Sequence, residues 1–238
     1  MKIALIGYGK MGKEIEQIAL ERRHTISLII DINNLNEFTA ENLKKADVAI
    51  EFSKPETAVG NIRTCFAAGI PIVSGTTGWL EHFDDIKNEC TSGGKTLFYA
   101  SNYSLGVNIF FKVNQFLGKV MNNFPQYEVE VEEIHHVTKL DAPSGTAISL
   151  ANDLLKAIER KKRWQLNGQD NAEALKITAI RRDTVPGTHT IKYDSSVDYI
   201  EMIHSAKSRK GLALGAIIAA EFIAGKKGYF SMDDLLRF

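Results

Sequence analysis

Cysteine is scarce in this chain. Cys65 and Cys90 are the only two in 238 residues, with no Cys-x-x-Cys and no short-spaced pair. That argues against a disulfide scaffold or a cysteine zinc site and suits a reducing cytosol. Net charge is missing too, because 29 basic residues balance 29 acidic ones. No global field draws the chain to nucleic acid or to an anionic membrane, although a local basic pocket for a small anion stays open. Long apolar runs are also lacking. The N-terminal run breaks at Gly7, too early for an export signal, and Leu212 to Gly225 is short and interrupted by Glu221. The H-E-x-x-H and H-x-H patterns do not occur, so no metal is expected. The expectation is a cytoplasmic protein with neither membrane nor nucleic acid as partner.

What is present can fold. With 44% hydrophobic and 24% charged residues, the chain can bury a core as one large domain or two small ones. Its first hundred residues alternate between two periods. KIALI, TISLIID, ADVAIEF, IPIVSGT and KTLFYAS read as short buried strands. KMGKEIEQIALERR, ETAVGNIRTCFAA and HFDDIKNEC between them read as helices. In the first helix Met11, Ile15, Ile18 and Ala19 recur at helical spacing. Strand–helix repeats of this kind predict a parallel sheet covered by helices, an α/β Rossmann-like doubly wound architecture.

After residue 105 the pattern changes. VNIFFKVNQFLGKVMNNF predicts a long amphipathic helix, and YEVEVEEI alternates as a strand with one wet face does. A helix follows over roughly 144–162, then three strands in ALKITAIRR, THTIKYD and DYIEMIHSA. Successive strands imply a second α+β domain with an antiparallel or mixed sheet. The last helix, from about Arg209, is apolar nearly all round and should be buried. The expected division is 1–105 with 209–238 for dinucleotide binding, and 106–208 for substrate binding and oligomerisation. ERKKRW (Glu159 to Trp164) falls at a predicted helix C-terminus, where basic residues complement the dipole, so it is not read as a nucleic-acid patch.

GYGKMG places Gly7, Gly9 and Gly12 in a G-x-G-x-x-G pattern between a strand and a helix. The glycines allow a tight turn, close approach of a pyrophosphate and close helix packing, and the helix start offers free N–H groups. Asp31 ends the next strand, where an acid binds the adenosine ribose. A carboxylate there followed by Ile32 rather than Arg favours NADH, although Lys10 in the loop could still reach a 2′-phosphate. Gly75, Thr76 and Thr77 follow another strand, either bordering the nicotinamide or forming a simple turn and helix cap. Ala100 to Asn108 is a place of the same kind.

The densest polar stretch is EIHHVTKLDAPSGTA, Glu133 to Ala147. Alternation puts Val129, Val131, Glu133 and His135 on one strand face, with Glu128, Glu130, Glu132 and His136 on the other. Adjacent histidines on a strand point apart and make a poor pair of ligands for one metal. His and Lys suit proton transfer when neighbours tune them. Ser144-Gly145-Thr146 reads as a helix start whose N–H groups suit a substrate carboxylate. The plainer alternative is a capped helix after two exposed histidines.

These residues resemble the signature of the dihydrodipicolinate reductase family, in HHxxKxDAPSGTA with a preceding acid. The likeness runs on through Met11-Gly12, GTTG at Gly75 to Gly78, Asn102 with Gly106-Val107-Asn108, and the closing GYFSMDDLL. It implies reduction of a cyclic dicarboxylate, 4-hydroxy-tetrahydrodipicolinate, by NAD(P)H in lysine and diaminopimelate biosynthesis. By position, the resemblance makes His135 the proton donor and Lys139 a second donor. It gives substrate binding to His136, Ser144, Gly145 and Thr146. Cofactor contacts fall to Gly7, Tyr8, Gly9, Lys10, Met11 and Gly12, to Asp31, to Gly75, Thr76 and Thr77, and to Ala100, Ser101, Asn102 and Tyr103. It also implies a homotetramer joined through second-domain sheets, with that mixed-sheet domain inserted before the last helix. Three departures bear on cofactor contacts: the tighter GYGKMG loop, Ser101 and Tyr103 in place of Pro and Phe, and Ile32 where Arg often stands. Two alternatives remain: another two-domain NAD-dependent dehydrogenase, or a non-catalytic nucleotide-sensing regulator.

Overall fold

A computed structural model describes residues 1–168, 171–208 and 210–237. Contacts divide the chain into two compact units, Met1–Leu105 with Lys210–Phe238, and Gly106–Arg209.

In the first unit the short apolar runs are strands β1 (Lys2–Ile6), β2 (Thr25–Ile30), β3 (Val48–Glu51), β4 (Ile72–Ser74) and β5 (Thr96–Tyr99). Helices α1 (Lys10–Glu21), α2 (Ala40–Leu43), α3 (Pro55–Ala68) and α4 (Phe83–Ser92) alternate with them. Pro55 opens α3 at its first turn, where no intrahelical donor is lost, and Gly69 in the left-handed region closes it. Every strand pairing here is parallel. Successive strand residues face opposite sides, so each strand feeds two cores. Ile3, Leu5, Val48 and Ile50 join one apolar cluster with α1, while Ala4, Ile6, Ala49 and Ile72 join the other with α3 and α4.

The second unit holds α5 (Leu105–Met121, its first residue belonging to the first unit), β6 (Glu128–His135) and α6 (Gly145–Ala157). Strands β7 (Arg163–Leu166), β8 (Ala174–Arg181), β9 (Thr188–Asp194) and β10 (Tyr199–Ser205) follow. Sheet order is β10-β9-β6-β8-β7, antiparallel on the β9 side of β6 and parallel on the β8 side, hence mixed. Val129, Val131, Ile177, Ile191 and Tyr193 pack on α6 through Leu150, Ala151 and Leu154. Glu130, Glu132, Thr190, Lys192 and Glu201 border a polar depression on the sheet.

The predicted helix over 144–162 is shorter than expected. It ends at Ala157, and Arg163 and Trp164 of ERKKRW lie in β7. Paired strand backbone outweighs the charged composition there.

The chain returns to the first unit in α7 (Lys210–Ile223), whose Ala213, Ala216, Ile217 and Ala220 are fully buried. The predicted start at Arg209 falls outside the described residues. A short strand β11 (Gly228–Phe230) and helix α8 (Met232–Leu236) follow, and β11 extends the first sheet to the order β11-β5-β4-β3-β1-β2. The sequence reading did not identify this three-residue strand. Among the described residues no helix is long and apolar enough to cross a membrane.

Candidate active site

Two constellations carry chemistry, one in each unit. The first forms where strand order reverses between β1 and β3, the place where open parallel sheets bind ligands. A cleft of about 440 Å³ opens beyond the strand ends, lined among others by Gly7, Tyr8, Gly9, Asp31, Ile32 and Ser53. Gly7 has φ +92, and a side chain there would collide with the Phe52 carbonyl, so the turn requires glycine. Gly12 sits directly against the Gly7 carbonyl, seating α1 on the turn. Over Gly9 the space is open: a Cβ would meet nothing within 4 Å, and Gly9 offers no side chain to cap α1. The N–H groups of the first turn are therefore approachable by a phosphate.

Asp31 spends one oxygen on the Ile32 N–H at 2.8 Å, and its other oxygen has no partner among the described residues. Ile32 is 74% exposed. Lys54 also lines the cleft, a basic group that sequence reasoning did not place there. The Tyr8 hydroxyl donates to Glu16, which restrains the loop ring. Lys10, Met11 and Gly12 do not line the cleft; Met11 packs on the core and Lys10 is exposed.

Gly75, Thr76 and Thr77 follow β4, and Ala100 to Tyr103 follow β5. Thr76 is buried and Thr77 exposed. The Tyr103 hydroxyl donates to the Ser74 carbonyl at 2.7 Å, and burial pushes it well above the ordinary phenol range. Its buried side chain braces the end of β4; any ligand contact from Tyr103 would come from the backbone.

The second constellation gathers around Glu133, which is 0% exposed. Alternation along β6 sends Glu133 and His135 inward, as the sequence predicts. His135 Nδ1 donates to one Glu133 oxygen. The other accepts the Ser144 N–H at 3.1 Å and Arg181 Nη2 at 3.0 Å. Burial alone would raise the Glu133 carboxyl, but hydrogen bonds from His135 and Arg181 outweigh it and hold the group at about 2. Ser144 caps α6, its hydroxyl accepting from the Ala147 N–H at 3.2 Å. The N–H groups of Gly145 and Thr146 have no acceptor among the described residues, and the space above Gly145 is open. His136, the first residue past the end of β6, pairs with Thr138, and Lys139 donates to both oxygens of Asp141 at 2.8 Å.

Sequence reasoning missed three contributors. His189 stands on β9, opposite Glu133, with Nε2 3.1 Å from Ser144 Oγ, and burial together with the charge of His135 pushes it down to about 4. Arg181 also donates to the Lys139 and Asp141 carbonyls, fixing the turn that carries Lys139. Gly187 passes against the His135 ring. Glu133, His135 and His189 offer ligand atoms within 4.8 Å of one another, close enough to hold a metal ion. The sequence argument against a metal weighed local His patterns, cysteine clusters and the His135–His136 pair, and does not address this trio, which forms between strands. The Arg181 cation beside Glu133 opposes a second cation there.

Comparison with known proteins gives concordant matches. Residues 1–103 match the family model "Dihydrodipicolinate reductase, N-terminus", and residues 106–236 match "Dihydrodipicolinate reductase, C-terminus". The chain is 50% identical over 240 residues to a 4-hydroxy-tetrahydrodipicolinate reductase from Christiangramia forsetii, covering 99% of this chain and 98% of that one. A reductase of the same name from Lawsonia intracellularis is 33% identical, with 99% of each covered. A solved dipicolinate-bound dihydrodipicolinate reductase from Paenisporosarcina sp. TG-14 superposes with a TM-score of 0.80 at 19% identity, covering 98% of each chain, which establishes a shared fold.

Proposed function

Because the chain belongs to the dihydrodipicolinate reductase family, and so reduces 4-hydroxy-tetrahydrodipicolinate in lysine and diaminopimelate biosynthesis, we propose that His135 and the start of α6 are its proton donor and its carboxylate seat. One observation carries this reading: a single buried carboxylate, Glu133, holds both the His135 ring and the Ser144 N–H. Proton donor and carboxylate seat are thereby fixed against a common anchor.

The family uses NAD(P)H. The cleft over Gly7 to Gly9 fits such a group, since its glycine turn is open and its helix start is uncapped by a side chain. The cofactor, when bound, supplies the hydride; everything else falls to residues of this chain. Gly7, Tyr8 and Gly9 border the pyrophosphate, Lys10 and Met11 offer it only their backbone N–H groups at the α1 N-terminus, and Gly12 acts by seating α1 on the turn. Asp31 takes the ribose hydroxyls. Its carboxylate, followed by Ile32, repels a 2′-phosphate, which favours NADH. Gly75, Thr76 and Thr77, with Ala100, Ser101, Asn102 and Tyr103, border the nicotinamide half.

Glu133 remains ionised and only accepts, so the Nδ1 proton of His135 is held and Nε2 exchanges the catalytic proton. Lys139 is the second donor, carried on a turn that Arg181 pins. One carboxylate of the substrate lies on the Gly145 and Thr146 N–H groups, where the α6 dipole is positive. His136 and Ser144 complete the seat.

The assembly is a homotetramer joined through the polar sheet face of the second unit, which light scattering tests by mass. The two free, buried cysteines suit the reducing cytoplasm as its location. The test of the reaction is a coupled assay in which the synthase generates substrate from pyruvate and aspartate semialdehyde. His135→Gln should lower kcat by about 10²–10⁴-fold with unchanged NADH affinity. Turnover within twofold of the parent would remove His135 from the role.

A further inference from the structure

Glu51 is the last residue of β3, a strand buried along its whole length, and its side chain is 0% exposed. A carboxylate in that position needs donors, and it has them. One oxygen accepts Thr76 Oγ1 at 2.8 Å, the Ser53 N–H at 3.0 Å and the Ser53 hydroxyl. The other accepts Ser74 Oγ at 2.7 Å. The Glu51 main-chain carbonyl takes the Gly75 N–H at 2.9 Å. One residue therefore holds two separate segments, the Ser53 turn after β3 and the Ser74–Thr76 turn after β4.

The Ser53 end of this clamp reaches the cleft. Ser53 lines it, and the Ser53 hydroxyl also meets Thr57 Oγ1 at 3.0 Å and accepts from Asn61 Nδ2 at 3.0 Å, both on α3 and both in the cleft wall. A chain of hydrogen bonds thus runs from the buried carboxylate to three polar side chains of the cleft. The Ser74–Thr76 end fixes the backbone of the turn read above as bordering the nicotinamide. Thr76 Oγ1 closes the ring by accepting from the Ser53 N–H at 2.8 Å.

We propose that Glu51 is a positioning residue for the nicotinamide cofactor. Without touching it, the carboxylate sets the spacing between the two turns that receive the two halves of the cofactor. This rests on the cofactor reading above. A buried carboxylate surrounded only by donors is rigid because removing any one partner leaves an unmatched polar group. That rigidity makes the turns preorganised for binding.

Glu51→Gln keeps size and shape but turns one acceptor into a donor. NADH affinity, measured by fluorescence titration of the full chain, should fall about tenfold, while KM for the dicarboxylate stays within twofold. The split distinguishes positioning from mere stability, since a structural role would lower the melting temperature and leave the NADH affinity of the folded fraction unchanged. Thr76→Val and Ser74→Ala provide milder probes should Glu51→Gln not fold. Each should weaken NADH binding, and Thr76→Val combined with Glu51→Gln should cost less than the sum of the two. An Asp31→Ala control separates the two readings. If Asp31→Ala leaves NADH affinity intact, the assignment of the cleft fails. If it weakens binding while Glu51→Gln and the milder variants do not, the role of Glu51 alone is overturned.

Discussion

The rings of His135 and His189 meet edge to face, their centroids 5.2 Å apart and their planes at 73°. Both are buried, and only His135 has a carboxylate partner. His189 is held neutral at about 4, first by burial and then by the charge of His135, and its Nδ1 has no partner among the described residues. Its folded value lies below the ordinary 6.5 of histidine. Protonation therefore penalises the folded chain: there is no cost above pH 6.5, a growing cost below it, and the full cost below about pH 4. The full penalty is on the order of 3 kcal/mol. Urea unfolding between pH 7 and pH 4 should show His189→Gln losing less stability than the parent over this window. Parallel losses would mean that His189 is protonated without cost.

Arg181 is the only cation among the described residues paired with Glu133 besides the histidine. Arg181→Ala strands part of a buried carboxylate and releases the Lys139 and Asp141 carbonyls. The expected loss is about 2–3 kcal/mol at pH 7. Glu133 contributes stability that is present above its ordinary 4.5 and lost as pH falls toward about 2. Removing Arg181 should therefore also move the midpoint of acid unfolding to higher pH. An acid titration followed by circular dichroism checks this, and an unchanged midpoint would show that His135 alone holds the charge down.

Much of this was legible in the sequence because it is local. The glycine turn, the inward face of β6 and the Ser144 cap depend on spacing within one element, and alternation alone puts Glu133 beside His135. What the sequence could not show depends on register between strands. His189 is placed by antiparallel pairing opposite Glu133, and Arg181 by parallel pairing opposite His135, each more than forty residues from its partner. Glu51 was hidden differently: at the end of an apolar run it reads as a strand terminus, and only the arrival of Ser53, Ser74 and Thr76 reveals a buried hydrogen-bonded clamp. Strand β7 was obscured by its basic flank, and β11 by its length.

Cofactor choice turns on two adjacent residues. Among the described residues Asp31 keeps one oxygen unpartnered, and Ile32 extends into solvent at the cleft edge. Ile32→Arg adds a planar cation suited to a 2′-phosphate and should raise the NADPH-to-NADH ratio of kcat/KM by about tenfold. Combined with Asp31→Ala, the repulsion also goes, and the preference should move further in the same direction. Steady-state rates with the two cofactors in parallel measure it; an unmoved ratio would transfer the selection to Lys10 or Lys54.

Gly187 leaves no room for a side chain beside the ring of the proposed proton donor. Its φ of +154 disfavours any side chain, and a Cβ there would stand 2.9 Å from His135 Nε2. The ring cannot easily yield, since Nδ1 is tied to Glu133, so alanine must displace either the ring or the turn before β9. Nε2 is also the atom proposed to deliver the proton, and a misplacement of about 1 Å at a reacting group costs on the order of 10²-fold in rate. Gly187→Ala should therefore lower kcat by about that factor while NADH affinity, set in the other unit, is unchanged. Were kcat to survive in a folded variant, the proton would have to come from another group, and Lys139, on the turn held by Arg181, would become the primary donor.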